Sequence, residues 1–317
     1  MKHIAIITLA AAALLAMSGC AKKSRTNYRL ATGGTSGTYY PFGGAIANIW
    51  NTSIENIQVT VLATGASAEN LRLISNGEAE FAIVQNDVMD YAFRGTDMFE
   101  EPLQNIATIG TLYQEVVQIA ASTQSGIKTV ADLHGKRVSI GDAGSGVEFN
   151  AKQILEGHGI TFSDIQKQNL SFKESAEGIL NGTLDACFVT AGVPNDALKN
   201  LALAAGLVLI PVDGAGATAI CDKYGFYTQT VIPAGTYSGN NADTPALAIK
   251  ATLAVSTKLD EATVYSMTKA LFSNLDALRD AHAKGKEVSA ESAVAGLSVP
   301  FHPGAVKYFK ELGLKIQ

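Results

Sequence analysis

Apolar and polar positions alternate with two different periods along most of the chain. Short β-branched runs such as YRLAT, IQVTVLAT and AEFAIVQ predict strands, and helical spacing predicts helices at residues 42–50 and 66–75 between them. Gly77 follows the second of these helices and is a typical C-terminal cap. Strands that alternate with helices predict an α/β fold, with parallel sheets covered by helices on both faces.

A second series of strands begins near Val116, with the runs VVQIAAS, RVSIG, DIQKQNL, LDACFVT and LVLIPV. Helical patterns at residues 147–156, 174–180 and 195–204 separate these runs. Because strongly twisted sheets rarely exceed about ten strands, two sheets of about five strands fit the pattern better than one sheet.

The pattern changes after Gly225. Two extended stretches, YTQTVIPAGTY and ALAIKATLAVST, precede a helical C-terminal part that opens with the predicted N-cap Asp260. One apolar stripe predicts a single long helix there, and it comprises Val264, Met267, Leu271, Leu275 and Leu278. These helices have no new strands to cover, so we expect them to pack on the first group of strands.

This order of elements predicts two lobes. The first lobe comprises residues 28–114 plus 234–317 and the second residues 115–233, with crossings of the chain near 112–118 and 226–236. We expect a bound ligand to bridge the cleft between the lobes, and closure to be stabilised only by the contacts that the ligand adds.

The N-terminal segment MKHIAIITLAAAALLAMSGC predicts a secretory signal peptide at residues 1–19. It has a basic residue, an apolar run too short for a spanning helix, and small residues at its end. MSGC resembles a bacterial lipobox, which makes Cys20 the expected lipidated residue and 20–27 a tether. The alternative, an ordinary signal cut near Ala21, stays open.

Charge and cysteine usage narrow the choice of partners. With 24 Lys and Arg against 29 Asp and Glu the net charge is −5, so no nucleic-acid partner is expected. Cys187 lies in an apolar strand pattern and Cys221 in an apolar helix, which favours packed free thiols, although a disulfide stays open. No apolar stretch after the leader is long enough to cross a bilayer, so we expect an extracytoplasmic domain.

Five loops follow predicted strands and open predicted helices: ATGGTSGTYYPFGG, ATGASAENL, VQNDV, IGDAGSGVE and VTAGVPND. They supply glycines, hydroxyls and amides. In open α/β sheets ligands bind at the carboxyl ends of strands, and N–H groups at helix starts attract anions without help from a basic side chain. These loops therefore predict a cradle for a carboxylate or a phosphate.

Motifs of enzymes are missing from these loops. Their glycines do not have the dinucleotide-binding spacing, and Ser145 lacks the flanking glycines of a nucleophile elbow. The histidines are scattered singly, without metal-ligand spacing, so no metal or cofactor is expected. A secreted α/β hydrolase or transferase acting on a small carboxylate remains the alternative, although we find no activated nucleophile or acid–base pair for it.

Three acidic residues are candidates for binding an ammonium group on a ligand. Asp87 and Glu148 lie in two of the loops, and Glu115 lies near the first crossing. A structural role as helix-start acids explains Asp87 and Glu148 at least as well. Tyr39 and Tyr40 are close enough to the first loop for one ring to form a wall of the site.

Seven segments resemble the TAXI family, the TRAP-associated extracytoplasmic solute receptors. They are ATGGTSGTYYPFGGAIANIWN, VLATGASAENLRLI, FAIVQNDV, SGIKTVADLHGKRVSIGDAGSG, LDACFVTAGVPN, IPAGTYSG and GLSVPFHPGAVKYF, and the resemblance covers residues 28–312. It implies a two-lobed, periplasmic-binding-protein-like fold of type II with the ligand in the inter-lobe cleft. It also implies delivery of a small carboxylate such as glutamate or glutamine to a TRAP permease, driven by an ion gradient.

The resemblance carries ligand contacts over to residues of the five loops. They are Gly34, Thr35, Ser36, Tyr39, Ala66, Ser67, Asn70, Gln85, Asn86, Ser145, Gly146, Ala191, Gly192 and Pro194. The chain is expected to act as a monomer. Physical reasoning alone leaves an ABC-type partner open, and the TAXI motifs favour a TRAP permease.

Overall fold

Strands and helices alternate through the computed structural model, which describes residues 25–316. The strands are β1 (Thr26–Ala31), β2 (Ile57–Leu62), β3 (Phe81–Gln85), β4 (Ile106–Ala121), β5 (Arg137–Ser139), β6 (Gln166–Gln168), β7 (Ala186–Ala191), β8 (Val208–Ile210), β9 (Thr228–Ile232) and β10 (Thr244–Ser256). The helices are α1 (Tyr39–Ser53), α2 (Ser67–Asn76), α3 (Asn86–Arg94), α4 (Gly146–Gly157), α5 (Phe172–Leu180), α6 (Asp196–Ala205), α7 (Gly214–Tyr224), α8 (Glu261–Phe272), α9 (Leu275–Ala281), α10 (Ala290–Ala293) and α11 (Pro303–Glu311). Short 3-10 turns lie at Val130–Leu133, Phe162–Asp164 and Ala283–Glu287.

The strands of the described chain form one connected 10-stranded sheet in the order β2-β1-β3-β10-β4-β7-β5-β6, with β8 beside β4 and β9 beside β10. β1 runs parallel to β2 and β3, and β5 runs parallel to β6 and β7. β4 and β10 are antiparallel to their neighbours. The sheet thus has a first strand group, β1–β3, and a second strand group, β5–β7, joined by two long strands.

Each long strand passes from one group to the other. β4 pairs with β10 up to Val116 and with β7 from Val116 onward. β10 pairs with β9 through residues 244–248 and with β3 through residues 251–255. The expectation of two separate sheets is therefore wrong, because continuous hydrogen-bonded strands connect the two halves.

The C-terminal helices pack on the first strand group, as their apolar pattern predicts. Phe42 and Trp50 of α1 share a buried core with Met267 of α8 and Phe309 of α11. The Trp50 indole N–H donates a hydrogen bond to the Met267 carbonyl at 2.8 Å. α1 is thereby held between the sheet and α8.

The predicted long C-terminal helix is two helices in the structure. Asp260 is the N-cap of α8, and its carboxylate accepts a hydrogen bond from the Thr263 N–H at 2.8 Å. α8 ends before Ser273, and the Asn274 amide donates to the Ala270 carbonyl at 2.7 Å. A side chain that bonds a helix carbonyl competes with the next helical turn, which accounts for the break.

A second core surrounds the other strand group. Phe188 of β7 packs there with residues of α4 and α7, and a neighbouring cluster joins Cys187 to Tyr237 and Ala246. Residues around 234–248 therefore pack with the second strand group. We propose that the chain passes between the two lobes for the second time in the middle of β10, and not at residues 226–236.

Local features agree with several sequence patterns. Gly77 closes α2 with a left-handed backbone (φ 78°), which glycine adopts without strain. Cys187 is buried, Cys221 is half-buried, and both thiols are free. Within residues 25–316, no helix combines the length and the apolar character that a membrane span requires. Cys20 and the predicted signal peptide lie outside the described residues.

Candidate functional site

Three helices begin close together between the two strand groups. α1 starts after the loop that follows β1, α2 after β2, and α4 after β5. Their first residues, together with the ends of β3 and β7, enclose a cavity of about 40 Å³. The cavity is lined by Gly33, Gly34, Ser36, Gly37, Thr38, Tyr39, Ala66, Ser67, Gln85, Glu115, Asp142, Ser145, Gly146, Val147, Phe172, Thr190 and Ala191.

Most of the residues that the sequence assigned to ligand binding lie on this cavity. They are Gly34, Ser36, Tyr39, Ala66, Ser67, Gln85, Ser145, Gly146 and Ala191. These residues come from strand ends of both groups. Ligand sites are expected there, where parallel strands end and helices begin. The fold brings these residues together, and their contact with a ligand stays a prediction.

Asn70 and Asn86 were also assigned to the site, but neither lines the cavity. The Asn70 amide donates to the carbonyls of Thr32 at 2.5 Å and Ile83 at 2.9 Å, so it joins strand ends inside the protein. Asn86 Oδ1 accepts a hydrogen bond from the Lys250 N–H at 3.1 Å. Both side-chain amides form hydrogen bonds with backbone groups, which explains why they do not face the cavity.

Thr35, Gly192 and Pro194 do not line the cavity either. Thr35 lies in a separate surface groove beside α5 and α6. The Gly192 N–H donates to Thr38 Oγ1 at 3.1 Å, so this glycine connects the two strand groups. Pro194 follows a cis peptide bond from Val193 in the loop before α6.

The start of α2 has an unusual backbone. Ala66, its N-cap residue, has φ 75° and ψ −139°, a conformation that strains a residue other than glycine. The Ala66 N–H donates to Thr64 Oγ1 at 3.1 Å, and the Ala68 N–H donates to the Gly144 carbonyl at 3.2 Å. This turn holds the start of α2 against the loop that opens α4.

Helix starts at the cavity bring N–H groups that can bind an anion. Neither Thr38 nor Ala66 makes a side-chain cap hydrogen bond at the start of α1 or α2. The Ala68 N–H is taken up by the Gly144 carbonyl, and the other first-turn N–H groups have no side-chain cap. Ser145 Oγ accepts a hydrogen bond from the Glu148 N–H at 3.3 Å, which leaves its own hydrogen free to donate. No lysine or arginine side chain of the described chain lines the cavity. A carboxylate suits such a site because aligned N–H dipoles and hydroxyls can hold it.

Glu115 supplies a carboxyl group to the same cavity. Its side chain comes from the middle of β4 and is 1% exposed. The Tyr39 hydroxyl donates a hydrogen bond to Glu115 Oε2 at 2.6 Å. Burial raises the pKa of the Glu115 carboxyl to about 8, because the charged form loses its hydration. Of the three acidic candidates in the sequence, Glu115 is the one that lines the cavity.

Asp87 and Glu148 have the structural role that the sequence left open. Glu148 Oε2 accepts a hydrogen bond from the Gly144 N–H at 2.8 Å. Asp87 accepts hydrogen bonds from the Val88 N–H at 2.8 Å and from the Asn150 amide at 3.1 Å. Both acids therefore stabilise helix starts and loops beside the cavity.

Gln85 reaches across from β3 to the start of α4. A Cβ atom added at Gly146 would lie 2.1 Å from Gln85 Oε1, so only glycine leaves room for this side chain. Gln85 is 2% exposed, and its Oε1 atom has no hydrogen-bond partner among the described residues. Thr190 Oγ1 on strand β7 also has no hydrogen-bond partner among the described residues.

The two strand groups also contact each other directly around the cavity. The Asn195 amide donates to the Ser36 carbonyl at 3.3 Å, and the Gln153 amide donates to the Tyr91 hydroxyl at 2.9 Å. Tyr91 also stacks on Phe149, with ring centroids 5.7 Å apart. The two strand groups therefore have direct contacts of their own, and the share of closure that a ligand's contacts stabilise stays a prediction.

The fold is the two-lobed α/β fold of the periplasmic binding proteins. Residues 30–313 match the model of the NMT1-like family, and the chain belongs to this family. Two of the solved structures described below, which share the fold, are binding proteins and not hydrolases or transferases.

Solved structures of low sequence identity share the fold. An ancestral arginine-binding protein bound to arginine is 15% identical, with coverage of 82% of this chain and 98% of that one and a TM-score of 0.51. A binding protein component of an ABC phosphonate transporter from Pseudomonas aeruginosa is 11% identical, with coverage of 84% and 80% and a TM-score of 0.53. A protein from Bordetella bronchiseptica RB50 is 15% identical, with coverage of 90% and 89% and a TM-score of 0.55.

Proposed function

We propose that the chain is the extracytoplasmic receptor of a TRAP transporter of the TAXI family and binds a small carboxylate such as glutamate or glutamine. The seven sequence segments that resemble TAXI receptors support this assignment. The loops among them supply most of the cavity wall, including Ser36, Ser67 and Ser145. The resemblance and the cavity therefore concern the same residues.

The observation that carries the proposal is the set of uncapped helix starts at a cavity without basic side chains. A carboxylate can accept hydrogen bonds from several N–H groups and hydroxyls at once, and it gains from the positive ends of the helix dipoles. A neutral sugar would gain nothing from those dipoles.

A thermal-shift panel tests the ligand class. The panel comprises the twenty amino acids, dicarboxylates, neutral sugars and divalent metal salts. A ligand at a hundred times its dissociation constant stabilises the folded protein by about 2.7 kcal/mol. We expect shifts with carboxylates only. Shifts with sugars or metals alone would reject the carboxylate assignment.

The transport partner needs a separate test, because the two-lobed fold also occurs in a component of an ABC transporter. Right-side-out membrane vesicles from cells that make this protein can be supplied with purified receptor and radiolabelled glutamate or glutamine. A TRAP permease predicts uptake that depends on an imposed ion gradient and stops with ionophores. Uptake that requires ATP and resists ionophores would assign an ABC-type partner instead.

We also propose that the receptor is lipid-anchored through Cys20, works outside the cytoplasm and is a monomer. MSGC and the polar tether after it support the anchor. Cys20→Ala should move the protein from the membrane fraction to the soluble fraction. An unchanged membrane fraction, together with an unmodified N-terminus in the parent, would reject the anchor. Light scattering of the purified domain checks the monomer.

A further inference from the structure

Three buried polar side chains that line the cavity lack enough hydrogen-bond partners. Within residues 25–316, only Tyr39 donates a hydrogen bond to the Glu115 carboxyl, and it uses Oε2. Gln85 Oε1 and Thr190 Oγ1 have no partner at all in that range. These three residues are 1%, 2% and 4% exposed, and all line the cavity. Buried acceptors without donors are costly, so their presence indicates a ligand that brings donors.

The acidic groups of the cavity wall also favour a positive group on the ligand. Glu115 and the half-buried Asp142 are acidic, whereas no lysine or arginine of the described chain lies on the wall. A dicarboxylate would add negative charge to these acids in a poorly solvated space. A zwitterion would satisfy both features, with its carboxylate at the helix starts and its cation near Glu115.

We infer that Glu115, Gln85 and Thr190 form a subsite for the ammonium group of the ligand, and that the receptor selects amino acids over carboxylates that lack an amine. An ammonium group has three N–H donors, and the subsite offers a carboxylate oxygen, an amide oxygen and a hydroxyl oxygen. This inference rests on the proposed function, since it names the ligand class within the small carboxylates.

The subsite predicts that binding releases a proton near neutral pH. Burial keeps the Glu115 carboxyl largely protonated at pH 7, since it raises its pKa to about 8. A bound ammonium group favours the carboxylate and lowers this pKa, so affinity rises with pH up to about 8. Other charged or titratable groups around Glu115 are Tyr39 on α1, Tyr113 on β4, Asp87 at the start of α3, Asp142 before α4 and Lys284 in the 283–287 turn.

Calorimetry with matched ligands tests the inference. L-glutamate is compared with glutarate and L-glutamine with glutaramate, since each pair differs only in the α-amine. We expect the amine to strengthen binding by about tenfold or more, the value of a hydrogen bond to a charged group. Titrations at pH 7 in phosphate and in Tris should differ in enthalpy and report up to about one proton released per amino acid bound.

Glu115→Gln should abolish both the preference for the amine and the proton release, while Glu177→Gln, an exposed change on α5, should alter neither. Tyr39→Phe keeps the carboxyl and removes its hydrogen-bond donor, so proton release should persist. Equal affinity for the two members of each pair in the parent, or an unchanged preference in Glu115→Gln, would overturn the inference and leave a carboxylate receptor standing. If no carboxylate of the thermal-shift panel binds, the proposed function falls as well.

Discussion

Gly146 shows how one residue can control this site. The position begins α4, and the Gln85 amide occupies the space that a side chain would need. Gly146→Ala should displace Gln85 from the cavity wall and weaken ligand binding by about tenfold or more, because one buried hydrogen-bonding group is lost or misplaced. Calorimetry with the best ligand of the panel gives the affinity.

Gly44→Ala is a matched control for that change. Gly44 lies inside α1, and a Cβ atom there would meet no atom within 4 Å. Alanine is favoured over glycine in a helix by about 0.5–1 kcal/mol, so this variant should be slightly more stable and bind normally. Full affinity in Gly146→Ala would contradict the assigned role of Gln85.

Single residues set the limit of what the sequence could predict about the site. The loops that hold Ser36, Ser67 and Ser145 were recognisable, because each joins an apolar strand to a helix start. Asn70 lies in the same segment as Ser67 yet points into the protein, and no sequence pattern reveals that direction. Phe172 lines the cavity from the start of α5, a position that carries no sequence signal.

At the scale of elements, the N-cap of α4 is both structural and close to the cavity. Ser145 Oγ accepts from the Glu148 N–H at 3.3 Å and lines the cavity. Ser171 makes the same contact with the Glu174 N–H at 3.3 Å at the start of α5, and its side chain does not line the cavity. Ser145→Ala and Ser171→Ala should each lower the free energy of unfolding by about 1 kcal/mol, the usual value of an N-cap.

Ligand affinity should separate these two serines. Ser145→Ala should weaken binding by about tenfold, because a hydroxyl donor to the carboxylate is lost, and Ser171→Ala should bind as the parent does. Urea unfolding and calorimetry on the same preparations give both quantities. Equal affinities for the two variants would show that α4 contributes no side-chain contact to the ligand.

Element boundaries followed from the sequence where caps or apolar runs were strong. The helices after β5 and β7 lie within a residue or two of their predicted positions. β4 was recognised only from Val116, although it is a 16-residue strand that begins at Ile106. Its middle carries Gln114 and Glu115, and polar residues in a strand argue against a buried run unless its long-range partners are known. The pairing with β10 supplies that missing information.

At the scale of the whole molecule, one contact between the two strand groups involves a buried acid. Asp87 at the start of α3 accepts a hydrogen bond from Asn150 of α4, and burial raises its pKa from 3.8 to about 7. The folded protein therefore holds a proton on Asp87 that the unfolded chain releases between about pH 4 and 7. Stability from this group is fully present below pH 4 and falls as pH rises to about 7.

Asp87→Asn should remove the loss of stability at high pH, since a neutral amide needs no proton and can form a hydrogen bond with Asn150. The variant should be more stable than the parent at pH 7 to 8, and the difference should shrink towards pH 4. Urea unfolding at several pH values measures both curves. Asp276→Asn, which removes an exposed acid that pairs with Arg279 on α9, serves as the control. A parent more stable than Asp87→Asn at pH 8 would contradict the assigned burial of this carboxyl.

Native mass spectrometry of the purified receptor tests the central claim most directly. A receptor of the proposed class retains its ligand, so the folded protein should carry one small molecule, and denaturation should release it unchanged. We predict that the released molecule is an amino acid, with glutamate and glutamine as the first candidates. Release of a neutral sugar, a metal ion or a chemically altered product would contradict the account of the cavity as a site for a small carboxylate.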